Sequence, residues 1–173
     1  VQRTGMARGD AEFVEFARAS SARLTHAAFL MTGNHHHHAE DAAQTALVRT
    51  YASWSRIRNG DPYGYARSVL VNHLVDTWRR PIREYPSDDL PERRGGDMAE
   101  EVATRRWLVT ALGTLTARER AVVVLRHYFD LPEAQVAREL DVSVGTVKST
   151  SSRALEKLRT AGLSAPRPQE TCR

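Results

Sequence analysis

Between Ala11 and Pro81 the apolar residues recur at three- and four-residue spacing, first as Phe13, Phe16, Ala17, Leu24, Ala28 and Leu30. Gly33 and Asn34 interrupt this pattern, and it resumes from about Ala39 to Trp54. There Ala43, Leu47, Tyr51 and Trp54 form one stripe, with Asp41, Gln44, Thr45 and Val48 on the neighbouring face. A polar, basic loop follows (Arg56, Ile57, Arg58, Asn59, Gly60). Asp61 then Pro62 supplies an N-cap and a first-turn proline for a third helix, which Pro81 stops after Arg80. On that helix Asn72, Asp76 and Arg79 share a polar face, while Val69, Leu70, Leu74, Val75 and Trp78 face inward or beside it. Helical periodicity returns over 101–163. From 82 to 100 it is absent: a Gly-Gly pair and prolines accompany Glu84, Asp88, Asp89, Glu92, Asp97 and Glu100, against Arg83, Arg93 and Arg94. The pattern predicts an all-α chain of two small helical domains, 11–81 and 101–163, joined by a flexible acidic linker over 82–100, with frayed tails at 1–10 and 164–173.

Composition narrows the class further. The chain has 173 residues, 41% hydrophobic and 27% charged, enough for a core in one domain or two small ones. Sparse glycine and proline argue against a β-sandwich. The net charge of +4 permits a polyanionic partner, and the basic excess lies in the helical blocks rather than in the connector. Cys172 is the single cysteine, so neither a disulfide framework nor a cysteine zinc site is available. The chain carries no apolar run near the roughly 18 residues of a membrane span and no signal-like start, and it is read as cytoplasmic without membrane insertion.

The stretch DVSVGTVKSTSSR, Asp141 to Arg153, is dense in short hydroxyls for a helical segment. Before it, Leu131, Ala134, Val136, Ala137 and Leu140 supply the apolar positions of one helix. After it, Val147, Ala154, Leu155 and Leu158 supply those of another, for which Ser143 is a suitable cap. Two short helices across a tight turn are a helix-turn-helix pattern. Its second helix enters the major groove, where bulky side chains would hold it away. Gly145, Thr146, Ser149, Thr150, Ser151 and Ser152 would allow close approach, and Lys148 and Arg153 would supply charge-assisted contacts to guanine edges or phosphate.

With this block in LTARERAVVVLRHYFDLPEAQVARELDVSVGTVKSTSSRALEKLR, and AEDAAQTALVRTYASW and DPYGYARSVLVNHLVDTWRRP before it, the chain resembles the extracytoplasmic-function sigma factors of the sigma-70 family, close to the actinobacterial sigma-E-like group. The resemblance implies an alternative sigma factor. Its N-terminal block (region 2) would dock on the coiled coil of the polymerase β′ subunit and open the −10 element; its C-terminal block (region 4) would bind the β flap and read the −35 element. Catalysis would belong to the polymerase, so no enzymatic activity and no cofactor are expected. Implied partners are core RNA polymerase, promoter DNA and an anti-sigma factor; compaction of the two blocks, or their capture by that factor, would keep the protein off.

Residue by residue, the resemblance implies core-polymerase binding by Asp41, Gln44, Thr45 and Val48. It implies −10 contacts from Arg56, Arg58, Asn59, Asn72 and Arg79, where a flipped base needs a polar pocket with cations nearby. For the −35 element it implies Thr146, Lys148, Ser149, Ser152 and Arg153. Histidines at i and i+3 within His35–His38 could share a metal, but the run follows the Gly33–Asn34 break and has no further ligand cluster nearby, so no metal site is expected. A free-standing helix-turn-helix regulator, its first block dimerising or sensing, is the alternative reading. A metallohydrolase would need a pattern such as HExxH, which the sequence lacks.

Overall fold

The computed structural model describes residues 2–79 and 108–160, and every regular element among them is helical. The expected linker, the second tail, the start of the second block and Arg80 lie outside the described residues. Helix α1 spans Gln2–Thr32, α2 His36–Ala52, α3 Trp54–Ile57 and α4 Pro62–Arg79. In the second block α5 covers 108–113, α6 Ala117–Val123 continues into a π turn over Val124–Tyr128, and α7 (Glu133–Leu140) and α8 (Val144–Thr160) follow.

Helix α1 includes an N-terminal extension over residues 2–10. The extension is tied down at its inner end. Tyr51 Oη donates to Asp10 Oδ1 at 2.7 Å, and Phe13 packs against Tyr51 and edge-on to Trp54, ring centroids 4.8 and 5.3 Å apart. Gly33 (φ 71°) and Asn34 (φ 80°) end α1 in the left-handed region, and the Asn34 amide donates back to the Phe29 carbonyl. The reversal lays α2 along α1. Leu24, Ala27, Ala28 and Met31 meet Ala39, Ala42 and Ala46, and α4 closes the layer with Ala66, Leu70, Val71 and Leu74. The alanines let the backbones approach, while each fully buried Leu or Met contributes about 1.5–3 kcal/mol.

Three local expectations change. Helix α2 starts at His36, so three of the four histidines form its first turn. Its inward stripe is Ala39, Ala42, Ala43, Ala46 and Thr50, and Tyr51 is 49% exposed. The basic loop is shorter than expected because Arg56 and Ile57 belong to α3. The third helix follows the sequence closely: Asp61 Oδ1 accepts from the Gly64 amide at 2.8 Å, and Pro62 opens the helix.

In the second block Thr116 caps α6 reciprocally with Glu119, each side chain bonding the other residue's backbone amide. Val122, Val124, Leu125, Leu131, Val136, Leu140, Val147 and Ala154 form the centre of the trihelical packing. Ala134 and Leu155, both expected inside, are exposed. Asp141 at φ 52° makes the left-handed turn between α7 and α8, and the Val142 amide returns to the Ala137 carbonyl. Ser143 then caps α8 through its Oγ to the Thr146 amide at 3.1 Å.

The two blocks are packed together. Arg67 on α4 forms an ion pair with Glu139 on α7, Nη2 to Oε1 2.9 Å, with both side chains under 9% exposed. Arg23 lies over the rings of Tyr63, Tyr128 and Phe129 at 5.3–5.8 Å. Arg120 Nε donates to the Met31 carbonyl at 3.1 Å and its Nη1 to Leu115 O at 2.8 Å. Burial lowers the pKa of this guanidinium from its ordinary value.

Candidate nucleic-acid interface

Helix α8 divides cleanly by side. Val147, Thr150 and Ala154 are buried against α6 and α7, whereas Gly145, Lys148, Ser149, Ser152 and Arg153 are exposed along the opposite face. The hydroxyl-rich stretch therefore faces two ways. Thr150, 3% exposed, belongs to the core, and Ser151 is half-buried, so neither carries the close approach expected of it. Thr146 is half-buried as well, its hydroxyl 2.9 Å from Ser143 Oγ in the cap. Ser149 Oγ donates to the Thr146 carbonyl, which shortens its outward reach. Arg153 Nε donates to Ser149 O at 3.3 Å, leaving the terminal guanidinium nitrogens for an external acceptor. Lys148 sits 3.8 Å from Glu133 on α7, an exposed pair of small strength that phosphate can displace.

Behind this face Glu119 holds the block together. Its carboxylate accepts from Lys157 Nζ at 2.9 Å and from the Thr116 amide and hydroxyl at 2.9 and 3.1 Å. Burial pushes its pKa up. The bonds from Lys157 and Thr116, with the charge of Lys157, outweigh that effect and lower it below the usual 4.5.

In the first block Asp41 and Gln44 are exposed, Thr45 is half-buried and Val48 is 67% exposed. Tyr51 extends this face by one turn, and Val14 of α1 is 44% exposed. An outward Val and Tyr beside an acid and an amide make this a mixed apolar and polar face. Sequence reasoning assigned Tyr51 to the core because the simple period placed it on the wrong side. Asp41 lies 3.8 Å from His73 on α4.

Arg56, Arg58 and Asn59 are exposed around the α3–α4 turn. Arg56 donates to Ser53 Oγ at 3.2 Å, and Arg58 pairs with Glu12 at 2.9 Å. Asn72 is exposed on α4, and Arg79 is the last described residue of that helix, its side chain outside the description. Sequence reasoning missed Arg23, Arg67, Arg120 and Glu139. The available signal was a charge flanked by apolar residues, as in Ala66-Arg67-Ser68-Val69-Leu70.

Among the described residues no cluster of three or more His, Cys, Asp or Glu could hold a metal ion, and no helix is long and apolar enough to cross a membrane. His35 and His38 rings are 5.6 Å apart, and His36 packs on Phe29 instead.

Residues 16–83 match the family Sigma-70 region 2, and residues 105–158 match Sigma-70, region 4. An RNA polymerase sigma-E factor of Streptomyces avermitilis is 39% identical over 159 residues, covering 89% of this chain and 87% of that protein. The chain belongs to the sigma-70 family, in its extracytoplasmic-function branch. The sigma-E factor of Streptomyces antibioticus is 42% identical over 125 residues, covering 70% of this chain and 68% of its own. More distantly, the ECF sigma factor SigD of Mycobacterium tuberculosis is 28% identical over 130 residues, covering 70% of this chain and 61% of its own. The all-α, two-domain architecture accords with both family matches. This sigma factor directs promoter-specific transcription initiation, and the exposed face of α8 lies within the region 4 match.

Proposed function

We propose that the sigma factor reads the −35 element with Lys148, Ser149, Ser152 and Arg153, assisted at the helix start by Thr146. The observation that carries this reading is the exposed α8 face, small and hydroxylic at its centre and cationic at Lys148 and Arg153, behind a helix-turn-helix turn. Arg56, Arg58, Asn59 and Asn72, with Arg79, contact the opened −10 strand. Asp41, Gln44, Thr45 and Val48, joined by Tyr51, dock on the β′ coiled coil of core polymerase, while region 4 meets the β flap. The protein supplies recognition and no catalytic group, works in the cytoplasm, and is held in check by an anti-sigma factor. Its domains are 11–81 for region 2 and 101–163 for region 4.

Run-off transcription tests this reading, using purified core polymerase, the full chain and genomic fragments. Discrete starts that appear only with the sigma factor and depend on sequences near −35 and −10 support it. Starts indifferent to −35 sequence would remove the assignment of α8.

A further inference from the structure

Residues 10–16 of α1 are fixed against the end of α2 and the start of α3. Tyr51 Oη donates to Asp10 Oδ1, Phe13 lies against the rings of Tyr51 and Trp54, and Phe16 meets the Trp54 ring at 5.2 Å. Trp54 opens α3 and is only 8% exposed. Interlocked rings of this kind set where α1 lies along and around its axis, and so where its neighbouring side chains stand. Glu12 is one of them. Its Oε2 accepts from Arg58 Nη1, a residue 46 positions further along the chain, at 2.9 Å.

The two arginines of this corner are held in different ways. Arg56 Nη2 donates to Ser53 Oγ at 3.2 Å, only three residues back, and that hydroxyl lies 2.9 Å from Tyr65 Oη. Arg58 instead makes a short, charge-assisted bond to another helix. A guanidinium carries five N–H donors in a planar fork, so one bond to a carboxylate sets the plane and leaves the other donors for an external acceptor. With side chains 38% and 39% exposed, the pair contributes little to folding stability. Its consequence is orientation.

We propose that Glu12 is a positioning residue for promoter opening: it holds the Arg58 guanidinium in the orientation in which its remaining donors meet a phosphate or base edge of the opened −10 strand. Asp10, Phe13 and Phe16 hold α1 so that the carboxylate stands in one place. The proposal rests on the reading of Arg58 as a −10 contact and adds to it a residue from the start of the first block. An arginine ordered before the strand arrives loses less freedom on binding than one that must be ordered by it.

Open-complex formation tests the assignment, using holoenzyme made with the full chain, enough of each variant to saturate core polymerase, and a promoter fragment located by run-off transcription. Permanganate reads the unpaired thymines near −10. Ordering one rotamer-rich side chain costs a binding step about 2- to 12-fold, so Glu12→Ala should lower the opening equilibrium by about that factor with helicity by circular dichroism unchanged. Glu12→Gln keeps an acceptor oxygen and should recover most of the loss. In an Arg58→Ala background, Glu12→Ala should have no further effect, a result that a merely structural role for Glu12 would not give. Losses that add in the double variant overturn the proposal. So does a Glu12→Ala chain that opens the promoter as well as the parent, or better, while Arg58→Ala is impaired. Parental opening by Arg58→Ala would remove the −10 reading of that residue, and the proposal with it.

Discussion

Replacing Arg153 with Ala removes the terminal guanidinium from the middle of the exposed α8 face. Among the described residues the side chain makes one long bond, Nε to Ser149 O at 3.3 Å, and it is exposed, so stability should change by less than about 0.5 kcal/mol. On the proposed reading, nearly all the effect should therefore fall on DNA. A bidentate base contact is worth about 1–3 kcal/mol, a loss of about 5- to 150-fold confined to templates with the preferred base. A phosphate contact instead weakens all templates alike and lowers the salt slope by about one. Thr150→Ala, three residues earlier on the buried side, is the internal control. It loses a buried methyl and hydroxyl, costing about 1 kcal/mol of folding stability while leaving −35 preference unchanged. The assay is transcription by mutant holoenzymes on a matched set of −35 variants at two salt concentrations. An Arg153→Ala enzyme with parental strength, preference and salt slope refutes the argument, as does a Thr150→Ala enzyme with altered preference.

Other outcomes follow from the same geometry. Ser152→Leu should depress −35-dependent transcription far more than Ser152→Ala, since the exposed serine leaves room that a larger side chain fills; equal effects in promoter assays would contradict close approach. Asp41→Arg with Gln44→Ala should weaken recovery of core polymerase in a pull-down with helicity unchanged, because both side chains are exposed. Thr116→Ala should lower unfolding stability by about 1 kcal/mol in urea titration by breaking the capping box. Glu119 has a lowered native pKa, so its stabilising contribution is present above the usual, unfolded value of 4.5 and is lost as pH falls through the lower native value. Stability of the parent over Glu119→Gln should therefore be constant near neutrality and shrink through that acidic window, read by denaturant unfolding at each pH.

The helices were legible wherever caps and periodicity agreed. Asp61-Pro62 marked α4, and Ser143 marked α8, because each termination is a local hydrogen-bond problem with a local solution. Sidedness was less secure. Tyr51 and Leu155 fit an apolar stripe at the period of an isolated helix, yet the neighbours that would bury them pack one position around, against Thr50 and Ala154. The outward face of α8 was readable at Lys148, Ser149, Ser152 and Arg153, and Thr150 was misjudged because a threonine packs or binds with equal ease. Contacts between blocks left no periodic trace. Arg67 and Glu139 are 72 residues apart, and each reads locally as an ordinary charged helix position.

Promoter recognition by this chain as a subunit of polymerase, and through α8, is open to direct footprinting. Footprinting of one promoter by free chain, by holoenzyme and by holoenzyme carrying Lys148→Ala and Arg153→Ala tests it most directly. The expected result is no protection by the free chain and paired protection near −35 and −10 by the holoenzyme. The double variant should selectively lose the −35 footprint while −10 contacts persist. Strong specific protection by the free chain, or an intact −35 footprint in the double variant, would contradict the account.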